Sequence, residues 1–257
     1  MTDRKLNILG QWTIPVPAPG EGKWFLDWVL REPRQVSKHL ECGYYALKAL
    51  EGVNIMRVRE YFGGIGAQAL MVEDLFRPQT HIVTDWDEDA ATHLEGLFSH
   101  ELRYGRTVAT GQADAYDLDE TFVPGQDLHM LDYGDCTVWR LRTGEKQRQL
   151  LDRVVEDQPF AFVLTDIAGA RLHLQRERYE TILGPGSCDT QQSYLEALAT
   201  YIAELTGYVL VRGVYTRWSA VMTFVHPDWR EAIGESDGII HLHKILPGEP
   251  GLTVEEI

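Results

Sequence analysis

The stretch Met56–Asp89, MRVREYFGGIGAQALMVEDLFRPQTHIVTDWDED, decides how this chain folds. Its first part, Met56–Phe62, is β-prone and runs into a glycine cluster of Gly63, Gly64 and Gly66. Apolar residues then recur at helical spacing (Ala67, Leu70, Met71, Leu75, Phe76) until Pro78, which cannot continue a helix. A second β-prone run, His81 to Thr84, stops at Asp85. The order is strand, glycine turn, helix, strand, acid.

Physical chemistry gives such a unit a ligand class, an adenosine-bearing molecule. Glycines without Cβ let the backbone turn sharply and pass close to a ligand. The following helix aims its first N–H groups into the crevice. A carboxylate at the tip of the second strand accepts hydrogen bonds from two ribose hydroxyls. Asp85 lies 21 positions after Gly64, close to the spacing of a dinucleotide fold.

Gly64-Ile65-Gly66-Ala67-Gln68-Ala69 fits GxGxxG/A, so a nicotinamide dinucleotide is one reading, and an ordinary strand-to-helix turn is another. The preceding residues favour a third. Glu60-Tyr61-Phe62-Gly63-Gly64-Ile65-Gly66 resembles motif I of the Rossmann-like (class I) S-adenosylmethionine-dependent methyltransferases, an acid ending strand one before alternating glycines. Phe62 stands in place of the first family glycine. That makes the motif most like the nucleic-acid methyltransferases, whose pattern is D-x-F-x-G-x-G.

The resemblance implies a set of roles. Glu60 would hold the amino end of the methionine, with Phe62, Gly64 and Gly66 forming the turn around it. Asp85 would hold the ribose and Trp86 would cover one face of the adenine. Gly111-Gln112-Ala113-Asp114-Ala115 resembles the third motif, so Asp114 would bond the exocyclic amine with Ala115 near the ring. Asp114 in an ordinary Asx turn is the plainer reading. Asp132-Tyr133-Gly134-Asp135 corresponds to the fourth motif, where Asp132 would orient the acceptor and Tyr133 would stack on it. The chain lacks the Pro-Pro of the amino-methylating enzymes and the Pro-Cys of the cytosine-C5 enzymes. Cys136 and Cys188 read as packing residues. The resemblance therefore speaks to S-adenosylmethionine more than to any acceptor.

Composition sets outer limits. The chain has 257 residues with the apolar and charged fractions of a globular protein, long enough for a substantial core. No run of 18 apolar residues is present, and the start lacks a signal-peptide core. Three scattered cysteines argue against a disulfide framework and fit a reducing, cytoplasmic setting. His241 and His243 alone make a poor metal site, so no metal is expected. The net charge of −15 disfavours casual binding to nucleic acid. Yet Trp139–Arg178 holds eight Lys/Arg against six acids, a net of +2 that leaves −17 elsewhere. That segment, with Arg171, His173, Arg176 and Arg178 in the stretch Gly169–Gly186, is the candidate face for a nucleic-acid substrate; solvated helix charges are the bland alternative.

The remaining pattern places the unit in a larger sheet. Residues 1–22 read as an extended arm packed by Trp12 and Ile14, Lys23–Leu30 as a short helix, and Pro33–Leu50 as a second helix. Trp24 and Trp28 read as lid packing or as a stacking surface for a base. Helical spacing predicts helices over Ala90–Arg103, Lys146–Glu156 and Asp189–Leu205. Strands are predicted at Thr107–Thr110, Asp127–Leu131 and Phe160–Thr165, then as a hairpin of Tyr208–Tyr215 and Ala220–His226. The expected fold is α/β, a doubly wound, mostly parallel seven-stranded sheet with a C-terminal antiparallel hairpin. Residues 1–55 would cap the cofactor site, 56–226 form the Rossmann-like domain, and 227–257 form a weakly structured tail. The expected activity is methyl transfer to a nucleic-acid base. A small-molecule or protein methyltransferase and a catalytically silent binding module are the alternatives.

Overall fold

A computed structural model describes residues 4–8, 12–16, 33–99, 107–132, 137–167, 172–234, 236–245 and 253–256. In chain order the elements begin with strands β1 (Arg4–Ile8) and β2 (Trp12–Val16), helix α1 (Pro33–Leu47), β3 (Arg57–Glu60) and α2 (Ala67–Phe76). Next come β4 (Thr80–Asp85), α3 (Glu88–Phe98), β5 (Thr107–Gln112), the short α4 (Leu118–Thr121) and β6 (Leu128–Asp132). They continue through α5 (Thr137–Thr143), α6 (Glu145–Asp157), β7 (Ala161–Asp166), α7 (Leu172–Leu183) and α8 (Gln191–Thr206). The chain closes with β8 (Val209–Tyr215), β9 (Ala220–Val225), β10 (Gly238–His241), α9 (Leu242–Ile245) and β11 (Thr253–Glu256).

The main sheet runs β10-β8-β9-β7-β6-β3-β4-β5. All neighbours are parallel except β9, which is antiparallel to both β7 and β8. The order reverses between β3 and β6, where one crossover winds outward through β4 and β5 and the other through β6 and β7. In open α/β sheets the crevice at the carboxyl ends beside such a switch point is where ligands bind.

Seven strands were legible in the sequence; the sheet has eight. The extra one, β10, comes from the expected weak tail and pairs parallel to β8, Ile239 opposite Gly213. A Cβ on Gly213 would lie 2.8 Å from Ile239 Cδ1, so the bare glycine is what lets this edge strand lie down. The tail also folds into a 3-10 helix, Pro227–Ile233, and supplies β11. β11 and β2 flank β1 in a separate three-stranded antiparallel sheet, so the arm is a hairpin with Trp12 and Ile14 buried. The short helix expected over Lys23–Leu30, with Trp24 and Trp28, lies outside the described residues.

Every residue of β7 is buried, because the strand is central and has helices on both faces. Ala161 and Val163 point to a core built with α1 and α2, while Phe162 and Leu164 point to a core built with α5, α6, α7 and α8. That alternation is the period-two geometry of a strand. Helix boundaries follow local chemistry. Thr190 and Ser193 form a reciprocal capping box that starts α8, and Gly207 (φ 75°) ends it. The stretch expected to hang over the crevice as an insertion is mostly α7, packed through Tyr179 against Tyr194 of α8.

Candidate cofactor and active site

β3 delivers the chain to the turn. Gly63 N–H donates to Thr84 O (2.9 Å) and Gly66 N–H to Gly63 O (2.8 Å), tying the turn to β4 and closing it on itself. Gly64 and Gly66 take left-handed backbone angles, φ 50° and 76°. Their surroundings differ. A Cβ on Gly66 would fall 2.5 Å from Leu97 Cδ2, so this glycine is packed against α3; a Cβ on Gly64 would meet nothing within 4 Å. Gly64 is therefore the open side of the turn.

Asp85 lies directly beneath it. Its Oδ2 accepts from Gly64 N–H (2.9 Å) and its Oδ1 from Asp87 N–H (3.0 Å). A carboxylate offers about four lone-pair sites, so these bonds, with a third from the Trp86 amide, leave some acceptor capacity for a ligand hydroxyl. Burial pushes its pKa up, against the amide bonds from Asp87 and Gly64. Asp87 in turn caps α3, accepting from Asp89 N–H and Ala90 N–H.

Beside the turn is a hollow of about 370 Å³ lined by Tyr61, Phe62, Trp86, Asp114, Ala115 and Tyr116. Trp86 is 57% exposed, and Gln112 Nε2–H bonds its carbonyl at 3.1 Å, which holds the β4 tip against β5. Phe62 and Tyr116 form the aromatic wall, ring centres 5.8 Å apart. Asp114 Oδ1 accepts from Tyr116 N–H (2.9 Å), so the Asx turn is real. It does not compete with a ligand role, since the same side chain is on the rim of the hollow.

Glu60 sits differently. It is 2% exposed, on the face of the sheet covered by α2, with Oε2 3.7 Å from His81 Nε2. His81 Nδ1 lies 2.8 Å from Glu73 Oε1 on α2. Burial pushes the Glu60 pKa up; at His81 burial pulls down, but the two carboxylates prevail and its pKa is raised. On the opposite face Tyr61 O–H bonds His129 Nδ1 (3.0 Å), and His129 Nε2–H bonds Asp157 Oδ2 (3.0 Å). Asp157 also accepts from Gly125 N–H and Gln126 N–H. Burial lowers the His129 pKa, and Asp157 is lowered by His129 and the two amides despite its own burial. Neither histidine cluster announces itself in sequence, because its directly contacting members are 8 to 68 residues apart.

These clusters set opposite pH limits on stability. Folded His129 binds its proton at lower pH than an unfolded imidazole, so acidification below about pH 6.5 favours the unfolded chain. Asp157 acts in the same sense at lower pH. His81 is the reverse: its contribution is complete below about pH 6.5 and fades as pH rises through its raised value. Urea denaturation between pH 5 and 9 should show the acidic slope flattened in His129→Gln and the alkaline slope flattened in His81→Gln. Slopes identical to wild type would refute both assignments.

Asp132, at the end of β6, is partly exposed and exerts its charge on His39 of α1, on Glu60 and on Tyr116. Tyr133 and Cys136 lie outside the described residues. Cys188 is buried beside Ser187, its thiol pKa raised by burial. Three of the eight basic residues of the segment form ion pairs with nearby acids: Arg148 with Asp152 (2.7 Å), Arg153 with Glu156 (3.2 Å), and Arg176 with Glu180 and Asp189. Arg178 stacks 3.3 Å over the Trp139 ring. Among the described residues no group of three or more His, Cys, Asp or Glu is arranged to hold a metal ion, and no helix is long and apolar enough to cross a membrane.

Parallel strands ordered around a β3/β6 switch, with an antiparallel β9 between β7 and β8, make the fold of the Rossmann-like S-adenosylmethionine-dependent methyltransferases. Solved structures share it. Trm1 from Pyrococcus horikoshii with S-adenosyl-L-methionine superposes with a TM-score of 0.55 at 13% identity, over 83% of this chain and 58% of that one. The small RNA methyltransferase HEN1 gives 0.53 at 13% identity, over 74% of this chain and 26% of that one. The methyltransferase domain of bacterial CtHen1-C gives 0.50 at 15% identity, over 74% and 98%. No protein-family model and no curated protein matches the sequence.

Proposed function

We propose that this protein is an S-adenosylmethionine-dependent methyltransferase. One observation carries the reading: an open-sided glycine, a buried carboxylate with spare acceptor sites and an aromatic hollow meet at the carboxyl ends of β3, β4 and β5. The residues fit the cofactor. The hollow falls within the roughly 300–1,000 Å³ of small-molecule sites. Asp85 would hold the ribose, Trp86 and Phe62 would flank the adenine, Asp114 would take its amine, and Ala115 would lie against the ring. Glu60, with Oε2 3.7 Å from His81 Nε2, would hold the amino end of the methionine. Gly64 and Gly66 keep the turn free of side chains. The bound cofactor supplies an electrophilic methyl group. The chain's task is to align an acceptor with it and exclude water, with Asp132 facing the acceptor. Residues 1–55 would cover the methionine end.

A nucleic-acid base is the first acceptor to test, supported by Phe62 in motif I and by the likeness to the small RNA methyltransferase HEN1. A small-molecule or protein acceptor is the second reading, favoured by the internal pairing of Arg148, Arg153 and Arg176. Calorimetry should detect binding of S-adenosylmethionine and S-adenosylhomocysteine but not NAD, and Asp85→Ala should weaken it ~10–100-fold, about 1.4–2.7 kcal/mol. Unchanged affinity in Asp85→Ala would remove the ribose assignment. Tritiated methyl transfer into RNA, DNA and protein extracts separates the acceptors. Tight cofactor binding with no transfer would favour a silent binding module.

A further inference from the structure

His39 is a residue the sequence reading passed over. It lies on α1 and is 9% exposed, and its Nδ1 is enclosed without a hydrogen-bond partner. Buried polar atoms in folded proteins are nearly always paired, so an orphaned ring nitrogen asks for a reason. Its position offers one. One turn further along α1, Gly43 faces Gln68 near the start of α2, so this end of α1 lies over the glycine turn. Glu60 is in register with Met130, which carries Asp132 just past the strand tips, level with Phe62. Asp132 is therefore where α1, the tip of β3 and the aromatic wall converge.

We propose that His39 accepts the proton released by the methyl acceptor, with the charge of Asp132 balancing the protonated ring, and that the methylated atom is a nitrogen or oxygen bearing hydrogen. This rests on the methyltransferase reading above. The acceptor's lone pair forms the new bond to the methyl carbon as the carbon–sulfur bond breaks and its electron pair stays on sulfur. The acceptor's proton passes to the ring nitrogen of His39 that carries the lone pair. The Asp132 charge favours the imidazolium that results. Burial lowers the His39 pKa, with Asp132 opposing, so the ring is neutral and ready to accept near pH 7. Lys38 and Glu41 neighbour it on α1; Glu73 of α2 is held by His81, and Arg212 of β8 by Asp237. The described thiols offer no rival route through covalent attack on a ring carbon. Cys42 and Cys188 are buried, and burial raises both.

The test reads the ring itself. In the full chain with 15N-labelled histidine, the His39 resonance is assigned by its loss in His39→Gln. It is then titrated with saturating S-adenosylhomocysteine and again with S-adenosylmethionine. A sulfonium charge nearby should lower its pKa by ~0.5–1 unit relative to the neutral thioether. Asp132→Asn should lower it in both complexes. Equal titrations in the two complexes, or indifference to Asp132→Asn, would overturn this role and leave the methyltransferase reading standing. No uptake of either compound by calorimetry would overturn both together.

Discussion

Gly64→Ala should weaken S-adenosylmethionine binding ~10–100-fold while costing only about 1–2 kcal/mol of stability. The two effects separate because a Cβ at Gly64 meets nothing within 4 Å. The protein itself has room for the methyl group, and the stability cost is the left-handed backbone at φ 50°. A ligand laid against the turn has no such room. Gly66→Ala is the control with the opposite profile. Its methyl would strike Leu97 Cδ2 at 2.5 Å in addition to the strain at φ 76°. Overpacking and backbone strain together should cost about 2–4 kcal/mol. Denaturation curves and calorimetry on both variants decide the matter. Equal affinity loss at the two positions, scaling with stability, would mean that the turn only folds and does not cradle.

Asp157→Ala should be among the most destabilising single changes in the protein, about 3–5 kcal/mol. The carboxylate accepts from His129 Nε2–H and from the amides of Gly125 and Gln126, and all three donors would be stranded at once. His129 would lose its orienting partner, and Tyr61 O–H would face a ring free to change tautomer. Because Tyr61 also lines the hollow, cofactor affinity should fall along with stability. A urea midpoint within ~0.5 kcal/mol of wild type would show that water replaces the carboxylate and that the cluster is incidental.

Much of the frame was legible because its signals are local. Periodicity located all seven strands of the Rossmann-like unit, and Gly207 and Pro78 marked the ends of α8 and α2. Phe62, Trp86, Asp114 and Ala115 were named from motif position and line one hollow. β10 was missed because Gly238–His241 is short and half-buried; it becomes a strand only by borrowing the edge of β8. The predicted helix Ala90–Arg103 is described as Glu88–Phe98, since Asp87 caps it earlier than its apolar pattern begins.

Charge was the least legible property. The basic segment reads as a nucleic-acid face in the sequence, yet Arg148, Arg153 and Arg176 are paired with acids on the same or adjoining elements. Glu60 reads as an acid for the cofactor's amino end; only the structure shows it 2% exposed, with Oε2 3.7 Å from His81 Nε2. The sequence by itself determined the order of strands and helices and the bend at Gly63–Gly66, because φ/ψ preference and hydrophobic period act over a few residues. Only the tertiary structure decided which polar groups face one another: Tyr61 with His129 and Asp157, His81 with Glu60 and Glu73. Those pairings are made by strand register and helix packing across tens of residues, and no local pattern encodes them.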